Sequence, residues 1–327
     1  MLNKLLNLFL ENDQALKKAF IWEQNLIKKN AAFQLAVRNQ QIDIERIKDM
    51  IDYMKEKTSA FSYFRHCLFP IAALLSTQRN GQQLFDLTIQ YYEDLKEEKF
   101  RRSTYLPYVA FFLASEVQPT EAAKTIEKAA QMYKIMKENN YWLTSDDDYM
   151  LAVLLAHSGI EPSHAANEMT ECYRYLNERG IWKGNALQTM SHILVLSNEP
   201  VYKKCDRLLE YQQLLKDEKI KLDSYSRSLL AVLSIVDSNV SSTVHKIAET
   251  DRALSSIKGF GNWSLGRGSR NMFSVALTLS EDVQKVTAET LQATVQNSIQ
   301  SLLLAQQAVM IAGIAAATAS SNSSSSD

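Results

Sequence analysis

Four of the chain's nine glycines stand in one segment, Gly259-Phe260-Gly261-Asn262-Trp263-Ser264-Leu265-Gly266-Arg267-Gly268-Ser269-Arg270. Glycine lets backbone N–H groups approach an anion closely. A helix starting near Ser269 would add the positive end of its dipole. Gly266, Arg267, Gly268 and Arg270 are therefore the candidate anion-binding set, and the two guanidinium groups suit a phosphate or a carboxylate. The spacing from Gly261 to Gly266 is that of a Walker A loop. However, Arg267 stands where the lysine is needed and no strand precedes the segment, so a P-loop is excluded. The alternative is an irregular turn that closes the last helical repeat.

His157, His164 and Glu168 form the other chemically interesting group. His164 and Glu168 are four residues apart and share a helix face, with Cys172 four residues further on. His157 lies just across a turn at Pro162. Ligands of these types at this spacing are what a divalent metal would need. The competing reading is a capping histidine beside a surface pair, and on balance no metal and no cofactor is expected. His66 and Cys67 are adjacent, so on a helix their side chains diverge and a Cys–His nucleophile is not formed. Asp146-Asp147-Asp148 resembles half of a diphosphate-binding Asp motif without its spaced third carboxylate. Placed before an apolar helix, it reads as a cap that uses the exposed amides of the first turn.

The elements that must carry these residues repeat. Phe100, Trp142, Trp182, Leu222 and Trp263 each end a polar stretch and are spaced 40–42 residues apart. Short apolar runs repeat with them, at Ala73–Ser76, Phe112–Ser115, Leu154–His157, Leu194–Ser197 and Leu233–Val236. Pro119, Pro162 and Pro200 form a third column, placed where a helix starts and a missing N–H costs nothing. Each unit thus reads as a short apolar helix, a tight turn and a longer amphipathic helix, with hairpins starting near residues 61, 103, 145, 185 and 224. Helix periodicity over 121–138, 163–178 and 201–216 puts apolar residues on one face. The short helices are apolar nearly all round and should be buried between neighbours. The period is too long for tetratricopeptide repeats and falls in the range of HEAT-like hairpins. The expected fold is all-α, with helical-hairpin repeats forming an α/α superhelix; a closed α/α toroid is the alternative. On this alignment Trp142 and Trp182 occupy equivalent, buried positions.

Composition agrees. Nine glycines and five prolines among 327 residues are few, as a helical chain with few turns requires. With 36 basic and 37 acidic residues the formal charge is −1, which argues against a nucleic-acid binder. Cys67, Cys172 and Cys205 are odd in number and far apart, as expected for free thiols in a reducing cytoplasm. The first residues are interrupted by Asn7 and Glu11 and read as an amphipathic helix rather than a secretory signal. No residue from Thr290 to Ser326 is charged. Gln300, Gln306 and Gln307 interrupt that run and no basic residue flanks it, so docking on the fold is preferred to a membrane tail anchor.

Phe61-Ser62-Tyr63-Phe64-Arg65, Ile71-Ala72-Ala73-Leu74-Leu75-Ser76 and the Ala-rich stretch 302–319 running into a Ser-rich tail resemble a family of uncharacterised bacterial proteins. It is a domain of unknown function found mostly in low-GC Gram-positive bacteria. The resemblance implies an intracellular helical protein and supplies neither a reaction nor site residues.

The chain is therefore expected to divide into N-terminal capping helices (1–60), a hairpin array (61–270), C-terminal helices (271–319) and a disordered Ser-rich tail (320–327). The aromatic residues crowded between Phe61 and Phe112 should be mostly core. The leading functional expectation is a cytoplasmic scaffold binding a protein or peptide. The rival is an enzyme whose site lies in a toroid lumen and uses the carboxylates with His157 and His164.

Overall fold

The computed structural model describes residues 2–139, 142–224, 226–236 and 239–283. Among these there are fourteen α-helices and no strand. Three come first: α1 (Leu2–Ala19), α2 (Asn25–Val37) and α3 (Ile44–Lys57). Short and long helices then alternate: α4 (Leu68–Leu75), α5 (Gly81–Glu97), α6 (Leu106–Glu116), α7 (Pro119–Asn139), α8 (Tyr149–His157), α9 (Pro162–Glu178), α10 (Asn185–Leu194), α11 (Val201–Asp217), α12 (Leu229–Ile235) and α13 (Val240–Ser255), followed by a second long helix, α14 (Arg267–Val283). The chain is all-α. The uncharged C-terminal run and the Ser-rich tail lie outside the described residues. Among the described residues no helix is long and apolar enough to cross a membrane.

Local chemistry sets the helix starts. Pro119 and Pro162 open α7 and α9, and Pro200 directly precedes α11. The Asp43 carboxylate accepts from the Arg46 N–H at the start of α3, and the Asn239 side chain accepts from Ser242 at α13. Ser145 and Asp148 form a capping box over the turn Asp146–Asp148 that leads into α8, which is the capping role expected of the Asp run. α8 is buried from Tyr149 through Ala156.

The helix ends hold the repeated feature. Lys99, Gly180 and Lys219 have φ of 70°, 93° and 60°, the left-handed region. Each is followed by a buried residue whose N–H returns to the carbonyl five residues back. Phe100 donates to Leu95 at 3.1 Å, Ile181 to Leu176 at 3.1 Å and Ile220 to Leu215 at 2.8 Å. This is the Schellman end, in which a left-handed residue reverses the chain and the next side chain packs down onto the helix. Phe260, after Gly259 at φ 94°, is buried in the same way.

This geometry corrects one expectation. Trp142 and Trp182 are exposed, at 93% and 87%, not buried, and Trp263 is fully exposed. In the turns led by the left-handed Lys99, Gly180, Lys219 and Gly259, the buried position is the residue that follows, namely Phe100, Ile181, Ile220 and Phe260. At Trp182 and Trp263 the tryptophan stands beyond that anchor, after the chain has turned outward.

The described residues pack as two compact units. The first holds Leu8–Tyr133 and Ser145–Val153. In it α3 packs on α4 and α5, α2 on α4, and α5 on α6. Its core is aromatic: Phe9 meets Phe33 edge-on at 5.9 Å, and Phe64 meets Phe85 at 5.4 Å. Phe64, Phe69, Tyr108, Phe111 and Phe112 are buried, whereas Phe61 is exposed. The second unit holds Lys134–Thr144 and the described residues from Leu154 onward. There the long helices α9, α11 and α13 lie side by side, and α10, α12 and α14 follow one another behind them. The helices pair as α9 with α10, α11 with α12 and α13 with α14. The closest partner of each of α9, α11 and α13 is thus the helix that follows it, whereas the sequence suggests the one before.

Candidate functional site

The glycine-rich segment becomes the turn between α13 and α14. Arg270 is buried, and its guanidinium is taken up inside the protein. Nε donates to Asp251 Oδ1 at 2.7 Å, Nη2 to Asp251 Oδ2 at 3.2 Å and Nη1 to Asn262 Oδ1 at 2.8 Å. Arg267 is exposed and donates through Nη2 to the Lys219 carbonyl. The Asp223 carboxylate lies against Gly268, 3.3 Å from where a Cβ would stand, so the start of α14 already faces an acid of this chain. Gly266 takes φ 82° to admit the helix. Of the four anion-site candidates, Arg267 and Gly268 tie α14 to the loop before α12, whereas Arg270 turns inward to α13 and the preceding turn.

His164 and Glu168 also meet, with Nε2 3.0 Å from Oε2. His164 is exposed, and the other Glu168 oxygen accepts from Lys204. Lys204 is fully buried and also donates to the carbonyls of Leu194 and Ser197, each at 2.8 Å. Its ammonium therefore closes the C-terminus of α10, a cation at the negative end of a helix. Arg207 does the same for α12 through the Ser234 carbonyl while holding Glu199 bidentately at 2.8 and 2.9 Å. His157 ends α8. Among the described residues no group of three His, Cys, Asp or Glu side chains is arranged to hold a metal ion.

The three cysteines are buried free thiols. Burial pushes the Cys67 thiol far up, and the neighbouring Cys205 together with burial does the same to Cys172. Such thiols are poor nucleophiles. His66 is exposed while Cys67 Sγ turns inward and donates to the Phe64 carbonyl at 3.3 Å.

Other buried titratable groups serve the fold. Burial and then Asp147 push the Asp148 carboxyl up to about 8, and it accepts from the Ser145 N–H at 3.1 Å. Burial lowers His192 to about 3, so it stays neutral on α10. Burial lowers the Lys29 ammonium to about 8 against the opposing pull of Asp13, 2.7 Å away.

The most suggestive surface feature was not expected from the sequence. In the second unit the loops that follow α9 and α11 lie together, and the start of α14 meets the loop after α11. Arg267 bonds to Lys219, Asn271 Nδ2 donates to the Lys221 carbonyl at 2.9 Å, and residues 180–182 and 220–222 line one cleft. Trp182 stands exposed at this cleft, and Trp263, in the turn before α14, is also exposed. The cleft is about 410 Å³. Ile181, Leu215, Ile220 and Leu230 give it an apolar floor, and Trp182 forms its lip. Lys216, Lys221 and Arg227 also line it, and among the described residues no acidic side chain does. Concave, mostly apolar surface with a few charged groups is the usual form of a binding site. The sequence alone does not reveal it, because the repeat alignment places Trp182 in the core; the available clue is Gly180, left-handed before Ile181.

The chain matches a family model described as a protein of unknown function (DUF4003) over residues 12–308. It is 28% identical over 326 residues to the uncharacterized protein YeaA of Bacillus subtilis (strain 168), covering 97% of this chain and 94% of that one. No solved structure matches it. This agrees with the resemblance carried by Phe61–Arg65 and Ile71–Ser76. Matched across most of its length, the chain belongs to the DUF4003 family.

Proposed function

We propose that this protein is a cytoplasmic helical-repeat scaffold, its hairpins stacked as an α/α superhelix, that binds a protein or peptide partner. The observation that carries this reading is the loop edge of the second unit. Isolated apolar residues on a surface need no explanation, but tryptophans that protrude almost fully are costly in water and are the side chains most often found at binding hot spots. Trp182 and Trp263 are 87% and 104% exposed; the Trp182 loop lines a cleft with the loop after α11, and the turn carrying Trp263 leads into Arg267, which bonds to that same loop. The buried core does not require them, since Ile181 and Phe260 supply the anchors. Three buried free thiols support a reducing compartment.

The test is affinity capture from the native host with the wild-type chain and with Trp182→Ser/Trp263→Ser, each checked by circular dichroism. A partner held by the wild type and lost by the folded double variant supports the reading. Identical capture by both removes this edge from the binding surface.

A further inference from the structure

We infer that the cleft beneath Trp182 receives an acidic peptide segment carrying one apolar anchor residue. This rests on the partner-binding reading and narrows it to one surface and one chemistry.

Charge complementarity commits the occupant. Lys216 at the end of α11, Lys221 in the following loop and Arg227 just before α12 are all exposed and border the same cleft. Elsewhere in this unit several basic side chains are paired within the fold. Lys204 holds Glu168, Arg207 holds Glu199 and Arg270 holds Asp251. Around the cleft the cations converge without a lining carboxylate, and like charges gathered over a low-dielectric floor focus a field that attracts an anion. Asp217, Glu218 and Asp223 are exposed in the same stretch but do not line the cleft.

The floor sets the other requirement. Ile181, Leu215, Ile220 and Leu230 are 2–6% exposed and form rigid walls, because Ile181 and Ile220 are fixed by their Schellman hydrogen bonds. A cleft of about 410 Å³ takes a side chain or two, not a helix or a folded domain. An apolar anchor would lie on this floor under the Trp182 ring, with carboxylates on either side reaching Lys216, Lys221 and Arg227. Concavity also separates this occupant from a lipid surface, which meets protruding rather than recessed apolar groups.

The experiment selects dodecamers from a displayed random library on the intact chain and measures affinity by fluorescence anisotropy. The expected pool is enriched in Asp and Glu around one Leu, Ile, Met or aromatic residue. Trp182→Ser and the triple variant Lys216→Gln/Lys221→Gln/Arg227→Gln should each weaken binding at least about tenfold, and Trp22→Ser should not. Raising salt from low to high should weaken wild-type binding and leave the triple variant's residual binding nearly unchanged. The inference is overturned by an empty pool, by a pool without acidic enrichment, or by variants that bind as the wild type does. Competition by phosphatidylglycerol-containing vesicles, with phosphatidylcholine vesicles inert, would overturn it in favour of an anionic membrane. If host partners captured through Trp182 persist in the triple variant, the acidic-peptide inference fails alone and the scaffold reading stands.

Discussion

Adjacent residues Ile181 and Trp182 should behave oppositely when truncated. Ile181 is 4% exposed and is pinned by its N–H to the Leu176 carbonyl at 3.1 Å, while Trp182 is 87% exposed. Replacing a buried isoleucine by alanine costs about 2–5 kcal/mol. Ile181 lines the cleft, so water can enter the space it vacates, which places Ile181→Ala near the lower end, at about 2–3 kcal/mol. For a folding unit of this size that is a fall in Tm of roughly 4–10 °C. Trp182→Ala removes a far larger side chain but almost no buried surface, and should stay within about 0.5 kcal/mol of wild type. The assay is urea unfolding followed by circular dichroism at 222 nm, with thermal melts alongside. A Trp182→Ala loss equal to or larger than that of Ile181→Ala would refute the anchor assignment and restore tryptophan to the core.

Three further outcomes follow from the same geometry. Arg270→Ala strands the largely buried Asp251 carboxylate and should destabilise by about 3–5 kcal/mol in urea titrations. Asp148 is held near 8 by burial against about 3.9 in an unfolded chain, so the unfolded state loses its proton first as pH rises. The stability attached to the protonated carboxyl is complete below about pH 4 and is lost progressively up to about pH 8. Asp148→Asn should therefore gain stability over wild type at pH 8 and show no such gain at pH 4. Lys99 is exposed with φ 70°, a conformation that costs a side chain about 1–2 kcal/mol. Lys99→Gly relieves that strain against an added unfolded-chain entropy of about 0.5–1 kcal/mol, so a net gain of about 0.5–1 kcal/mol is expected in thermal melts.

Helix content was legible because proline starts, apolar runs and amphipathic stretches all pointed the same way. The long helices expected over 121–138, 163–178 and 201–216 run over Pro119–Asn139, Pro162–Glu178 and Val201–Asp217. Bulk alone does not mark burial in the repeat column, since Ile181 is buried and the larger Trp182 beside it is exposed. What places a side chain after a helix is the left-handed residue before it. Gly180 announces that conformation, but Lys99 and Lys219 do not, since lysine rarely adopts it. The partners of Lys204 and Arg270 lie 36 and 19 residues away and have no local signature. The cleft was hidden for the same reason, since its floor and its cations come from two helices and two loops.

Site-specific photocrosslinking in living host cells tests the central claim most directly. A benzophenone amino acid in place of Trp182 should trap a discrete adduct, and mass spectrometry of that adduct should map the crosslink to an acidic segment of one protein. The same group in place of Tyr202, which is also exposed and lies at the start rather than the end of α11, should not trap it. No adduct at position 182, or the same adduct at both positions, would contradict binding through this edge.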